Sequence, residues 1–211
     1  MQNNNSCKKC RRAGEKLFLK GEKCFSPKCV FVKKPYAPGK LQSEKKHRSM
    51  LTEYGKQLRE KQKVRNTYGV REKQFSNYIK IAMSVGAKKN PAEVLYENLE
   101  LRLDNIVFRA GLASSRALAR QMVAHGHITV NGRKVTIPSI KVSPGDVVGV
   151  RDGSRDSVLF SEISKKLTKQ TRPKWINFDD KKFSYKITSA PKAEKSELSF
   201  DLASVLEFYS R

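Results

Sequence analysis

A formal net charge of +24, from 44 lysines and arginines against 20 aspartates and glutamates in 211 residues, dominates this sequence. A compact chain with that excess repels itself, and the repulsion is relieved beside a polyanion whose phosphates neutralise the surface. Apolar residues make up 38% of the chain, below the roughly 45–50% of ordinary globular domains, so the core is expected to be modest. Together these features disfavour a stand-alone small-molecule enzyme and point to nucleic acid. The length allows one or two domains of about 150 residues each. No apolar stretch reaches the ~20 residues that span a bilayer, and the polar opening Met1–Ser6 lacks the basic-then-apolar order of a secretory signal. The expectation is a cytoplasmic protein with no membrane partner and no small-molecule substrate.

The charge is unevenly spread. Residues 1–50 hold 14 basic and 3 acidic side chains, or +11, whereas 51–98 carry +5 and 99–152 and 153–211 carry +4 each. The basic head also contains all four cysteines, spaced Cys7-x2-Cys10-x13-Cys24-x4-Cys29. Two short-spaced pairs separated by a loop suit a tetrahedral Zn²⁺ site, because each pair closes a tight turn and the loop brings the pairs together. Neighbouring cations such as Lys8, Lys9, Arg11 and Lys23 favour thiolates. Four cysteine ligands leave no open position, so one structural zinc ion is expected. Disulfides and an iron–sulfur cluster are the competing readings.

Further along, Lys33-Lys34-Pro35-Tyr36-Ala37-Pro38-Gly39-Lys40 forces an irregular connector. A polar helix with little apolar face is expected over Thr52–Tyr68, and another over Glu72–Val85, with Phe75, Tyr78, Ile79 and Ala82 on one face. Leu99, Leu103, Ile106, Val107 and Ala110 repeat at helical spacing and predict one amphipathic helix ended by Gly111. A second helix, capped by Ser114 or Ser115, directs Leu118, Met122 and Val123 inward and Arg116 and Arg120 outward. Ile128 and Val130, then Asn131-Gly132, then Val135 and Ile137 predict a hairpin with a type I′ turn, and Val147–Val150 a closing strand. Beyond it, a short helix over Asp156–Leu167, strands at Trp175–Asp179 and Phe183–Ile187, and an apolar tail that docks elsewhere are expected.

Clustered cations on a rigid face are what phosphate binding requires. Arg116 and Arg120, with Arg133 and Lys134 at the hairpin turn and His125, His127 and Asn131 nearby, form one such group. The run Arg59-Glu60-Lys61-Gln62-Lys63-Val64-Arg65 projects cations over a wide arc and suits packing into structured RNA. The sequence has no P-loop, dinucleotide fingerprint or Gly-x-Ser-x-Gly elbow. Asp104, within Arg102-Leu103-Asp104, is read as a surface or helix-pairing carboxylate rather than a catalytic one.

The cysteine spacing, Tyr36-Ala-Pro-Gly39, Tyr54-Gly-Lys-Gln-Leu-Arg-Glu-Lys-Gln-Lys-Val64, Leu101-Arg-Leu-Asp-Asn105, Ser115-Arg-Ala-Leu-Ala-Arg-Gln121, His125-Gly-His-Ile-Thr-Val-Asn-Gly132 and Glu207-Phe-Tyr-Ser-Arg211 together resemble the bacterial small-subunit ribosomal protein four family, in its four-cysteine, zinc-containing form. The resemblance implies a non-enzymatic constituent of the small ribosomal subunit that binds the 5′ domain of 16S ribosomal RNA, nucleates assembly and contributes to translational accuracy. It implies neighbours resembling ribosomal proteins five and twelve, and mRNA near the entry channel. The implied fold is α+β: a zinc-bound basic segment at 1–48, a mostly helical body at 49–98 completed by 153–211, and an inserted helix-helix-hairpin RNA-binding domain at 99–152. The candidate zinc ligands are Cys7, Cys10, Cys24 and Cys29. The candidate RNA-facing set is Lys45, Lys46, Arg48, Arg59, Lys61, Lys63, Arg65, Arg71, Arg102, Arg116, Arg120, His125, Asn131, Arg133 and Lys134. Two rivals are disfavoured. A pseudouridine synthase-like RNA-modifying enzyme needs a catalytic domain of well over about 100 residues, which neither flank holds. A zinc-dependent nucleic-acid-binding regulator would gather its cations on one major-groove helix, whereas here they are scattered.

Overall fold

A computed structural model of the chain describes residues 5–39, 50–86, 89–155, 157, 160, 173–179, 184–192 and 200–210. The chain divides into two compact units, Met1–Ala92 with Lys195–Arg211, and Glu93–Glu194.

The first unit opens with helix α1 (Asn5–Ala13) and the one-turn helices α2 (Glu22–Phe25) and α3 (Val30–Lys33). Helix α4 (Glu53–Tyr68) starts where Thr52 Oγ1 accepts the Gly55 N–H at 3.2 Å, and it ends where Gly69 turns left-handed at φ 63°. Its inward residues Gln57, Lys61, Val64 and Tyr68 recur at helical spacing yet are mostly polar. Helix α5 (Glu72–Ser84) buries Phe75, Ile79 and Ala82, as its periodicity predicts. The apolar tail forms helix α9 (Leu202–Ser210), capped by Asp201, whose Oδ1 accepts the Ala203 N–H at 2.9 Å. This helix lies on α4 and α5. Gln57 donates to Glu207 at 2.9 Å, Phe208 meets the Tyr54 ring at 5.4 Å between centroids, and Tyr209 meets Phe75 at 6.3 Å.

The second unit holds helices α6 (Pro91–Glu100), α7 (Leu103–Arg109) and α8 (Arg116–Ala124). The single helix expected across 99–110 is therefore broken. Arg102 is extended at φ −69°, ψ 138°, and the chain there pairs with a neighbouring loop instead of with itself. The Val142 N–H donates to the Leu101 carbonyl at 2.9 Å and the Leu103 N–H to the Ile140 carbonyl at 2.9 Å. These long-range bonds take the place of helical ones at Leu101 and Leu103.

Strands β1 (Ile128–Val130), β2 (Arg133–Val135), β3 (Val147–Val150), β4 (Ile176–Asp179) and β5 (Ser184–Ile187) form one sheet in the order β2-β1-β3-β5-β4, with every pair antiparallel. The hairpin follows the expected turn chemistry, with Asn131 at φ 49° and Gly132 at φ 79°. Ile137 lies outside β2 and is exposed.

The pairing of β5 with β3 corrects the expected boundary. Among the described residues beyond 152, strands β4 and β5 do not complete the helical body but extend the hairpin sheet, whereas Leu202–Ser210 joins the first unit. The expected helix at 156–167 falls almost wholly outside the described residues. One apolar core serves the second unit: Leu103, Ile106 and Val107 of α7, Met122 and Val123 of α8, and Ile128, Val148, Tyr185 and Ile187 of the sheet are all at most 2% exposed. Among the described residues no helix is long and apolar enough to cross a membrane.

Candidate nucleic-acid interface

In the second unit the arginines are organised by two buried carboxylates. Asp104 accepts from Arg102 Nε at 3.1 Å and Nη2 at 2.9 Å, and from Arg120 Nε at 2.9 Å and Nη2 at 2.6 Å. Glu100, fully buried, accepts from Arg109 Nε and Nη2 at 2.9 and 2.8 Å and from Asn105 Nδ2 at 2.8 Å. Asn105 in turn accepts from Arg116 Nε at 2.8 Å, and the Arg116 guanidinium sits 4.4 Å above the Phe108 ring. The helical wheel therefore misplaces Arg116 and Arg120: they are half-buried and drawn onto α7 rather than standing clear on the solvent face of α8. Arg102, also in the candidate set, is buried at 3% exposure. Asp104 is a helix-pairing carboxylate. The network holds three guanidiniums on two carboxylates and a fourth, that of Arg116, on Asn105, and so keeps a net positive charge at a fixed geometry.

The hairpin cations differ. Arg133 and Lys134 are exposed on β2, and the Lys134 alkyl chain crosses the backbone of Gly126, a left-handed residue at φ 75° where any Cβ would collide with it. Asn131 is exposed, but its side chain pins the turn: Nδ2 donates to Asp146 at 2.8 Å and Oδ1 accepts the Val147 N–H at 2.8 Å. His125 is exposed at the end of α8, while His127 Nδ1 lies 3.1 Å from Ser154 Oγ.

In the first unit the run on α4 splits between inside and outside. Lys61, at 7% exposure, forms an ion pair with Glu72 and sits 5.0 Å from the Phe208 ring centroid and 5.3 Å from that of Tyr209. Lys63, at 5% exposure, is held by Glu15 at 2.8 Å and Glu60 at 3.1 Å. Burial alone would lower the Lys63 pKa, but hydrogen bonds to Glu15 and Glu60 outweigh it and raise the value. These two lysines thus do not project over the outward arc expected of them. Arg65 binds Glu72 at 2.9 Å, whereas Arg59 and Arg71 are exposed. Lys45, Lys46 and Arg48 lie outside the described residues.

A groove of about 790 Å³ runs beside α1 and α4, lined by Lys8, Lys9 and Arg12 from α1 and by Arg59, Lys63 and Arg65 from α4, with Leu51 and Leu58 supplying apolar surface. With Lys63 and Arg65 paired to glutamates, Lys8, Lys9, Arg12 and Arg59 give the groove its positive excess, which attracts a phosphate backbone. Lys8, Lys9 and Arg12 are absent from the RNA-facing set expected from the sequence, although the concentration of charge in residues 1–50 is the signal that marks them.

No disulfide joins the four cysteines; Cys10, Cys24 and Cys29 are buried and Cys7 is half-buried. Burial pushes the Cys10 thiol pKa up, and the charges of Cys24, Cys7 and Cys29 add to the rise, which brings all four within electrostatic reach. The Lys20 N–H donates to Cys24 Sγ at 3.3 Å. Four soft thiols have the donor chemistry zinc selects. Among the described residues, however, no three or more His, Cys, Asp or Glu side chains are grouped as a metal-holding cluster.

Residues 2–101 match the family model for the ribosomal protein S4/S9 N-terminal domain, and residues 101–148 match the model for the S4 domain. Three similar proteins carry the name small ribosomal subunit protein uS4. The one from Ruminiclostridium cellulolyticum is 45% identical over 206 residues, covering 98% of this chain and 97% of the relative. Those from Halothermothrix orenii and Kosmotoga olearia are 46% and 44% identical, each over 97% of this chain and 96% of the relative.

Proposed function

This chain belongs to the uS4 family of small ribosomal subunit proteins, and from that premise we propose that it binds the 5′ domain of 16S ribosomal RNA, nucleates small-subunit assembly and contributes to translational accuracy. Family membership makes it a structural, rRNA-binding constituent of the small subunit rather than an enzyme. The observation that carries the reading is similarity at about 45% identity over nearly the whole chain, cysteine-bearing head and hairpin unit included. Two basic surfaces give it a mechanism. The groove beside α1 and α4 takes backbone phosphates, and the α7–α8 and hairpin cations present guanidiniums whose orientation is set before RNA arrives. Its neighbours in this reading are ribosomal proteins five and twelve, with mRNA near the entry channel.

The test is binding of purified protein to separate 5′ and 3′ domain fragments of 16S RNA across a salt series. Preference for the 5′ fragment is expected, with affinity falling about 10³–10⁵ between 50 and 200 mM salt if six to ten phosphates are contacted. A flat salt response, or equal binding of both fragments, overturns the reading.

The same proposal assigns one zinc ion to Cys7, Cys10, Cys24 and Cys29. Bound zinc would cross-link the head as a structural staple, and the neighbouring cations offset the charge of four thiolates. Metal analysis should return one zinc per chain, and chelation should expose four alkylatable thiols. Natively folded protein with four reactive thiols and no metal overturns this assignment while leaving RNA binding untouched.

A further inference from the structure

The head carries a pair of aromatic rings that its own fold does not use. Phe18 and Phe25 stack with centroids 4.8 Å apart and planes at 25°. Yet among the described residues Phe18 remains 44% exposed and Phe25 74% exposed. Phe18 also occupies the left-handed region at φ 48°, an outlier for a bulky residue that persists only where its surroundings impose it.

The surroundings here are the cysteine loop. Buried Gly21 at φ 60°, the Cys24 N–H donating to the Gly21 carbonyl at 2.8 Å, and buried Cys24 accepting from Lys20 fix the turn between the two rings. One ring face of the pair is satisfied by the other; the outer face of Phe25 is left open to solvent. An exposed side chain held rigid by neighbouring backbone, at the expense of a strained φ, is a preorganised contact rather than a loose surface residue.

We infer that Phe18 and Phe25 form a stacking platform for an unpaired nucleobase of RNA, the base continuing the ring stack on the open face of Phe25. Charge selects this occupant. Residues 14–34 carry six lysines against two glutamates, and Lys23 and Lys28, which flank Phe25 in sequence, are exposed. The occupant therefore combines a flat π-face with negative charge, which a nucleotide supplies and an apolar protein surface does not. Single-stranded or bulged positions in structured RNA offer such splayed bases.

The inference rests on the proposed RNA binding, and the experiment separates the two. Phe25→Ala, Phe25→Leu and Phe25→Trp, all in the full chain, are titrated against the 16S 5′-domain fragment over a salt series, with circular dichroism to verify the fold. Stacking predicts that Ala and Leu each weaken binding about five- to tenfold, the lower end of what one base on an aromatic ring contributes, while Trp retains affinity. The slope of log affinity against log salt stays unchanged, because no phosphate contact is lost. In the Phe25→Trp variant, RNA should quench indole fluorescence beyond whatever change the unaltered protein shows from Trp175 alone. Wild-type affinity in all three variants overturns the platform. So does wild-type affinity in Phe25→Leu combined with weakening in Phe25→Ala, which would show that apolar bulk and not an aromatic face is what the RNA meets. Failure of the unaltered protein to bind the RNA is a different result, and it overturns the proposed function itself.

Discussion

The two units of this protein use the same residue types in opposite ways. In Glu93–Glu194 an apolar core runs from α7 and α8 into a five-stranded sheet, and buried carboxylates orient arginines at its edge. In the first unit the helix with the most cations, α4, turns lysines inward and seals them with Glu72, Glu15 and aromatic rings from α9. One unit is an apolar body with a guanidinium rim; the other is a polar seam with apolar patches. Net charge per segment does not separate them, because the difference lies in which side of each cation meets a carboxylate.

The largest test of this contrast is Asp104→Ala. It leaves the Arg102 guanidinium buried without its bidentate partner, and a loss of about 3–5 kcal/mol is expected. The sole tryptophan, Trp175, lies in the second unit and reports its unfolding by fluorescence. A loss under about 1 kcal/mol would mean that the apolar core alone holds the unit and the carboxylate network is incidental.

Acid tests the polar seam of the first unit next. Burial pushes the Glu72 carboxyl up, but Lys61 and Tyr209 hydrogen bonds and the charges of Lys61 and Arg65 outweigh it and hold its pKa below the ordinary 4.5. A depressed folded pKa means stability that is complete above about 4.5 and lost as pH falls through the folded value. Helical circular dichroism should therefore begin to fall as pH drops below about 4.5. Glu72→Gln should lower stability at neutral pH and flatten this acid dependence. An acid transition that Glu72→Gln leaves unchanged would show that the polar seam does not depend on this carboxylate.

The smallest effect compares two helix caps. Ser115 Oγ accepts the Leu118 N–H at 3.3 Å from a site only 9% exposed, whereas Thr52 caps α4 in the open. Ser115→Ala should cost about 1 kcal/mol and Thr52→Ala about half that, measured as shifts in denaturant midpoint at constant slope.

What was legible in the sequence was local. Asn131-Gly132 specifies its own turn, and Phe75, Ile79 and Ala82 specify the inner face of α5 without reference to distant residues. The cysteine spacing marked a segment whose thiols lie within electrostatic reach of one another. What misled was periodicity interrupted from elsewhere. Leu99 to Ala110 keeps helical spacing throughout, but the loop at 138–142 captures the backbone of Leu101 and Leu103 and breaks the helix. Arg116 and Arg120 occupy the outer arc of a helical wheel, yet Asn105 and Asp104 on another helix bend them inward. The strands β4 and β5 were recognisable one at a time, but their membership of the hairpin sheet depends on pairing with β3, which no window of sequence contains. Of the candidate contacts, Arg59, Arg71, Arg133 and Lys134 are exposed, while Arg102, Lys61 and Lys63 serve first as buried partners of carboxylates.

The hydrogen bond from Gln57 to Glu207 joins residues 150 positions apart. During synthesis, α4 leaves the translating ribosome long before α9 exists, so Lys61, Tyr68 and Phe75 lack the rings that cover them until the chain from residue 200 onward has been made. The second unit is continuous in sequence and has no such wait. Synthesis therefore imposes an order, in which the inserted sheet unit is complete while the unit that encloses it in sequence still lacks its last helix. In that interval Lys61 and Tyr68 of α4 and Phe75 of α5 stand uncovered together, a basic and aromatic surface that the finished molecule withdraws.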